Sequence, residues 1–117
     1  MAWEILIGTH VGNWLDDVDP STYEQTMAAL KVLQEDGPGL GRPLVDTVSG
    51  SRHKNMKELR PGSSGRSKIR ILFAFDPARQ AILLIAGDKS NNWQKWYRRN
   101  IPMADNLLDK HLKGMEA

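Results

Sequence analysis

Glu58, Arg60, Arg70, Lys89 and Tyr97 are the residues of this chain best suited to chemistry on a phosphate ester. Glu58 and Arg60 stand two apart in Met-Lys-Glu-Leu-Arg, so an extended backbone puts them on one face. In Ile69–Phe75, alternation sets Ile69, Ile71, Phe73 and Phe75 against Arg70, Leu72 and Ala74. If Leu59 is core, Glu58 and Arg60 look out beside Arg70. Two readings of that trio are open. One is a cross-strand Glu58–Arg70 ion pair that only stabilises a sheet. The other is a cationic site with a carboxylate inside it. Lys89 follows the last apolar run, and its charge suits a phosphate. Tyr97 suits proton transfer, on the expectation that neighbouring cations lower its phenol pKa.

A metal-free reaction fits these groups. In RNA the ribose 2′-hydroxyl can attack the adjacent phosphate. Cations then stabilise the charge that develops, a fixed geometry aligns the strand, and a Glu, His, Lys or Tyr moves the protons. Lys54, Lys57, Arg66, Lys68, Lys95, Arg98 and Arg99 are expected to bind the RNA backbone, with aromatic residues among them able to stack bases. Trp93 is assigned instead to packing beneath a helix, the usual fate of a large aromatic. Of the histidines, His111 reads as structural and His10 as the end of a strand. His53, in Arg52-His53-Lys54, reads as a bystander or a proton carrier.

Charge is distributed unevenly. Residues 1–36 hold one base and seven acids, residues 37–79 nine bases and three acids, and residues 80–117 six bases and four acids. A basic zone is the footprint of phosphate binding or of a solvated, salt-bridged surface. The chain has no cysteine, which excludes disulfides, thiolate metal sites and a thiol nucleophile. It has no HExxH, calcium-loop or phosphate-loop spacing, so no metal or cofactor is expected. No stretch approaches the ~20 apolar residues of a membrane span, and a cytoplasmic protein without membrane contact is expected.

The 117 residues suit one domain, 1–117. Trp3–Thr9 reads as a strand, Val11–Asp17 as a short helical turn with Trp14 inward, and Asp19-Pro20 as a capped helix start. Tyr23, Met27, Leu30 and Leu33 (or Gln34) recur at helical spacing through Glu35, and Gly37-Pro38-Gly39 ends that helix. Leu40–Arg52 reads as a loop. Strands are expected at His53–Arg60, Ser67–Phe75 and Gln80–Ala86, joined by turns at 61–65 and Asp76–Arg79. A helix should start near Ser90, be interrupted at Ile101-Pro102 and resume. The expectation is an α+β domain, a four-stranded, mainly antiparallel sheet with N-terminal and C-terminal helices packed on it.

Taken together, Met56–Arg60, Arg70–Asp76, and Ala86-Gly87-Asp88-Lys89 with Trp93, Trp96 and Tyr97 beyond it resemble the HigB branch of the RelE toxin superfamily, in particular its phage-derived HigB-like group. The resemblance covers nearly the whole chain and implies a RelE-like fold. It implies a toxin of a type II toxin–antitoxin pair, an endonuclease cutting mRNA on the ribosome. The implied partner is a helix-turn-helix antitoxin, with operator DNA bound only through the toxin–antitoxin complex. Arg60 and Arg70 match the family's strand arginines, Glu58 falls in the Glu-Leu-Arg piece, Lys89 matches the basic residue after the last strand, and Tyr97 the C-terminal aromatic of some relatives. Where many relatives have Lys-Lys-Thr, this chain has Asp88-Lys89-Ser90. Two alternatives are kept: a non-catalytic RNA- or ribosome-binding module, and an operator-binding partner, the latter weakened by the lack of an evident helix-turn-helix.

Overall fold

The structure is a computed structural model that describes residues 2–62, 68–90 and 92–116. Its elements run β1 (Glu4–Ile7), α1 (Thr9–Asp17), α2 (Pro20–Asp36), a 3-10 turn (Gly37–Gly39), β2 (Val45–Thr47), β3 (Lys57–Leu59), β4 (Ile69–Phe75), β5 (Gln80–Asp88) and α3 (Trp93–Gly114). The sheet order is β1-β5-β4-β3-β2. β1 lies parallel to β5 at one edge, and the other pairs are antiparallel.

Alternation along β4 and β5 divides the interior into two cores. Ile71, Phe73 and Leu83 pack with Val11 and Leu15 of α1 and Leu30 and Leu33 of α2. On the other face Leu72, Ala74 and Ile82 pack with Ile101, Ala104 and Leu108 of α3. A strand buried on both faces reads as a continuous apolar run, which is why Ala81–Ile85 is apolar throughout. Leu72 pairs with Ile85 but Phe73 with Leu83, so Leu84 is a bulge residue. The bulge places Leu84 and Ile85 in the α3 core and brings Gly87 opposite Arg70.

Several element boundaries differ from expectation. The sheet has five strands, because a three-residue β2 forms inside the expected loop and pairs with β3. Such a strand is too short to show alternation. β3 is also short: residues 53–56 turn, with Met56 N–H donating to the His53 carbonyl at 3.2 Å. Thr9 and His10 belong to α1, so β1 ends at Ile7. In α2 the side chain of Asp19 accepts from Thr22 N–H at 3.2 Å, the expected cap. The buried stripe is Thr26, Ala29, Leu30 and Leu33, leaving Tyr23 exposed.

Pro102 does not break α3, which continues through it. Proline removes one helical donor, but Pro102 and Arg98, whose carbonyl loses that donor, are both exposed to solvent. Ile101 and Ala104 meanwhile hold the helix to the sheet. A single α3 therefore carries Tyr97 near one end and His111 near the other.

Candidate functional site

The site is built around Glu58, which β3 turns towards α3. Its direct partner across the ladder is Leu72, and Arg70 sits diagonally on the same face. Glu58 and Arg70 are each only 4% exposed. A buried carboxylate requires paired and hydrogen-bonded surroundings. Glu58 has them: Oε2 accepts from Arg60 Nε at 2.7 Å and lies 3.4 Å from Arg70 Nε. Oε1 accepts from the Tyr97 hydroxyl at 2.7 Å. Arg60, just beyond β3, also donates through Nη2 to Asp46 of β2 at 3.2 Å, and Arg42 donates to the same oxygen at 3.1 Å.

Two features of the sheet let Tyr97 reach Glu58. The bulge aims position 87 at α3, and that position is glycine. A Cβ at Gly87 would stand 2.7 Å from Trp96 Nε1, so any larger residue would displace the Trp96 indole that packs α3 on the sheet here. The Asn92 side chain caps α3, accepting from Lys95 N–H at 3.1 Å. Trp93, Tyr97 and Ile101, spaced four apart, then line one side of an open hollow of about 400 Å³. Asp46–Ser49, Glu58, Arg60 and Lys89 complete it. Its size is within the range of small-ligand sites.

The electrostatics correct one expectation. Burial pushes the Tyr97 phenol up to about 12, and the hydrogen bond to Glu58 and the charge of that carboxylate push the same way, outweighing nearby Arg70. Tyr97 is therefore a neutral donor at physiological pH, and its pKa is not lowered by the cations. The Lys89 ammonium is held below its usual value, first by burial and then by the positive charge of Arg70, which outweigh the pull of Glu58. Its Nζ stands 5.7 Å from the Tyr97 ring centre and 5.8 Å from that of Trp93.

The five residues expected to do chemistry thus converge, with different access. Glu58, Arg60, Lys89 and Tyr97 line the hollow. Arg70 is buried behind Glu58. The expected backbone-binding residues scatter more widely. Lys68 is exposed at the start of β4, and its carbonyl accepts from Lys89 N–H at 3.0 Å. Lys95 and Arg99 line a second hollow of about 380 Å³ on the other flank of α3, with Trp96 and Asp88. Arg98 is exposed outside both hollows. Lys57 alternates onto the α1–α2 face, opposite to Glu58, and Lys54 is exposed in the loop before β3. Arg66 falls outside the described residues.

Sequence reasoning missed Asp46 and misplaced Trp93, which is 55% exposed at the hollow. For Asp46 a signal existed. Residues 37–79 contain only three acids, Asp46, Glu58 and Asp76, and each holds a cationic or imidazole partner. The wall beside Asp46 is fastened to α3 by buried Asp105, which accepts from Ser51 Oγ and, at 3.0 Å, from Arg52 N–H. Arg52 and His53 both reach Asp109, His53 at 2.7 Å. His53 is therefore part of this clip and does not line the hollow. Among the described residues no cluster of potential metal ligands occurs.

Residues 13–109 match the family described as Phage derived protein Gp49-like (DUF891). The chain belongs to this Gp49-like family. It is 60% identical over 106 residues to a Mycobacterium tuberculosis protein named "Putative toxin HigB2", an alignment covering 91% of this chain and 53% of that protein. The chain thus spans about half the length of that relative. A second protein of the same organism, "Putative toxin HigB3", is 48% identical over 108 residues, covering 92% of each. These relatives put this Gp49-like chain in the HigB branch. In three dimensions it is similar to archaeal RelE in the RelE–RelB complex of Pyrococcus horikoshii OT3, with a TM-score of 0.59 and 14% identity over 78% of this chain and 99% of that one. The fold is that of RelE, with one strand more than expected. No helix among the described residues is long and apolar enough to cross a membrane.

Proposed function

We propose that this Gp49-like protein is the toxin of a type II toxin–antitoxin pair and cuts mRNA during translation in the cytoplasm. The observation that carries the reading is the hollow where Arg60, Lys89 and Tyr97 meet around the buried Glu58 carboxylate. The named toxins among its relatives support the reading.

In this proposal a phosphate of the RNA enters against Arg60 and Lys89, whose charges stabilise the phosphorane oxygens. The 2′-oxygen attacks the adjacent phosphorus, and its proton passes to Glu58. The P–O5′ bond breaks, and the departing oxygen takes a proton from Lys89, whose lowered pKa makes it a better acid. The products are a 2′,3′-cyclic phosphate and a 5′-hydroxyl, and no metal is required. Tyr97 donates to Glu58 and orients it. Arg70, behind the carboxylate, is a positioning residue and not a direct phosphate clamp. Lys68, Lys95, Arg98 and Arg99 guide the flanking backbone. The partner is a helix-turn-helix antitoxin, and operator DNA is met only through that complex. That the archaeal neighbour is complexed with RelB supports an antitoxin partner, and the helix-turn-helix class is part of the proposal alone.

A translation reaction programmed with defined mRNA tests the chemistry. Cleaved message should end in a 2′,3′-cyclic phosphate, and a message carrying 2′-deoxyribose at the cut should be spared. Cleavage of the deoxy message would overturn the proposed attack. One observation favours a second reading, a module that binds RNA or ribosomes without cutting. Arg60 and Tyr97 already donate to Glu58, and Arg70 lies against the same carboxylate. Translation arrest with intact message would support that reading instead.

A further inference from the structure

We infer that Trp93 forms a nucleobase-stacking subsite at the edge of the hollow that holds Arg60 and Lys89, where it grips one base of single-stranded RNA. The inference rests on the RNA reading above and adds to it the group that grips the base. The chain has four tryptophans. Trp3, Trp14 and Trp96 are half-buried, whereas Trp93 is 55% exposed. Each of the others has a packing partner that accounts for it: Trp3 lies against Phe75 and beneath Arg79, Trp14 against the α1–α2 core, and Trp96 against Gly87. Trp93 instead lines the hollow that holds Arg60 and Lys89.

Its surroundings fit a base. Trp93 stands edge-to-face with Tyr97, ring centres 6.3 Å apart and planes at 76°, which steadies the indole without covering it. A phosphate beside Lys89 would sit within one nucleotide of this ring, since the Lys89 ammonium is 5.8 Å from the indole centre. Thr47 and Ser49 line the same hollow and are exposed, providing polar groups for a base edge. Stacking on an aromatic accepts any base, because every base has a π-face. An exposed tryptophan is also a common anchor in protein interfaces. The cations sharing its hollow favour RNA, and a protein partner is the alternative outcome.

The test uses the full chain with a 2′-O-methyl RNA oligonucleotide of about eight nucleotides, a length typical of single-strand sites and resistant to 2′-hydroxyl attack. Trp93→Ala should weaken binding by about tenfold or more, and Trp93→Phe should restore most of it. The salt dependence of binding should be unchanged, since a stack releases no counterions. With an abasic oligonucleotide, wild type and Trp93→Ala should bind alike. The inference is overturned if Trp93→Ala binds the base-containing probe like wild type, if its defect persists on the abasic probe, or if wild type binds neither. It is also overturned if the substitution weakens only capture of the antitoxin. Because the probe cannot be cut, failure of the nuclease reading would show separately, as intact message in translation. Cutting by Trp93→Ala at the wild-type rate and positions would count against the subsite alone.

Discussion

Two buried carboxylates hold α3 to the sheet, and they differ in what surrounds them. Asp76, in the β4–β5 turn, accepts from the backbone N–H groups of Ala78 and Gln80, from the Gln80 amide and, at 2.7 Å, from His111 near the end of the helix. Glu58 is held at the other end by Arg60, Arg70 and Tyr97. Around Asp76 most donors are neutral. Around Glu58 stand two guanidiniums, and Lys89 lines the same hollow, with Asp46 as the other acid lining it among the described residues. Both carboxylates satisfy the requirement for paired burial. Of the two, Glu58 lines an open hollow beside the cations Arg60 and Lys89, and that access to cations separates a candidate site from a structural clip.

The contrast can be broken by substitution. Glu58→Gln keeps the size of the side chain and an acceptor for Tyr97 but removes the base, so cleavage should fall by about 10²–10⁴-fold. Asp76→Asn should leave cleavage per folded molecule unchanged. If Asp76→Asn abolished cutting in folded protein and Glu58→Gln did not, the assignment of the two ends would be reversed. Lys89→Ala comes next in size, with an expected loss of about 10²–10³-fold, measured as the single-turnover rate on ribosome-bound message.

Arg70→Ala should act differently from Lys89→Ala, because it strips a buried partner from Glu58. The expected cost in stability is about 3–5 kcal/mol, read by urea unfolding, accompanied by loss of activity. A variant as stable as wild type would show that Arg70 does not secure the carboxylate. Asp76→Asn should cost a smaller amount, about 1–3 kcal/mol, and should change the acid response. Burial alone would raise the Asp76 carboxyl, but the hydrogen bonds from His111, Gln80 and Ala78 outweigh it and hold the group below its usual 3.8. A depressed carboxyl stabilises the fold above its unfolded pKa, and that stability is lost as pH falls through the folded value. Wild type should therefore lose stability below about pH 4 more steeply than Asp76→Asn.

The smallest effect sharpens the Glu58 end alone. In an alkaline titration followed by ultraviolet absorbance, one phenol should ionise only at about 12, and Tyr97→Phe should remove that step. Since the unfolded chain ionises this tyrosine near its usual 10.0, the stabilisation it provides is present below that pH and fades towards 12. A phenol ionising well below 10 would mean that the cations, and not burial with Glu58, govern it.

Residue patterns exposed much of this arrangement. Alternation in Ile69–Phe75 separated Arg70 from the residues of the α1–α2 core, and Asp19-Pro20 marked the start of α2, because both signals are local. The opposing faces of Glu58 and Lys57 also followed from the pleat once Leu59 was core. What stayed hidden depends on contacts distant in the chain. β2 exists because β3 pairs with it. Trp93 and Trp96 look equivalent by type, and only the bulge, which turns Gly87 towards Trp96, decides which one is sheltered. Pro102 looked like an interruption because its cost is local, whereas the packing of Ile101 and Ala104 that keeps α3 continuous is tertiary.

Primer extension on messages from cells expressing wild type or Glu58→Gln tests the central claim most directly. The account predicts discrete new 5′ ends inside translated regions with wild type, absent with Glu58→Gln at equal levels of folded protein. Intact messages under wild-type growth arrest, or the same cuts with Glu58→Gln, would contradict it.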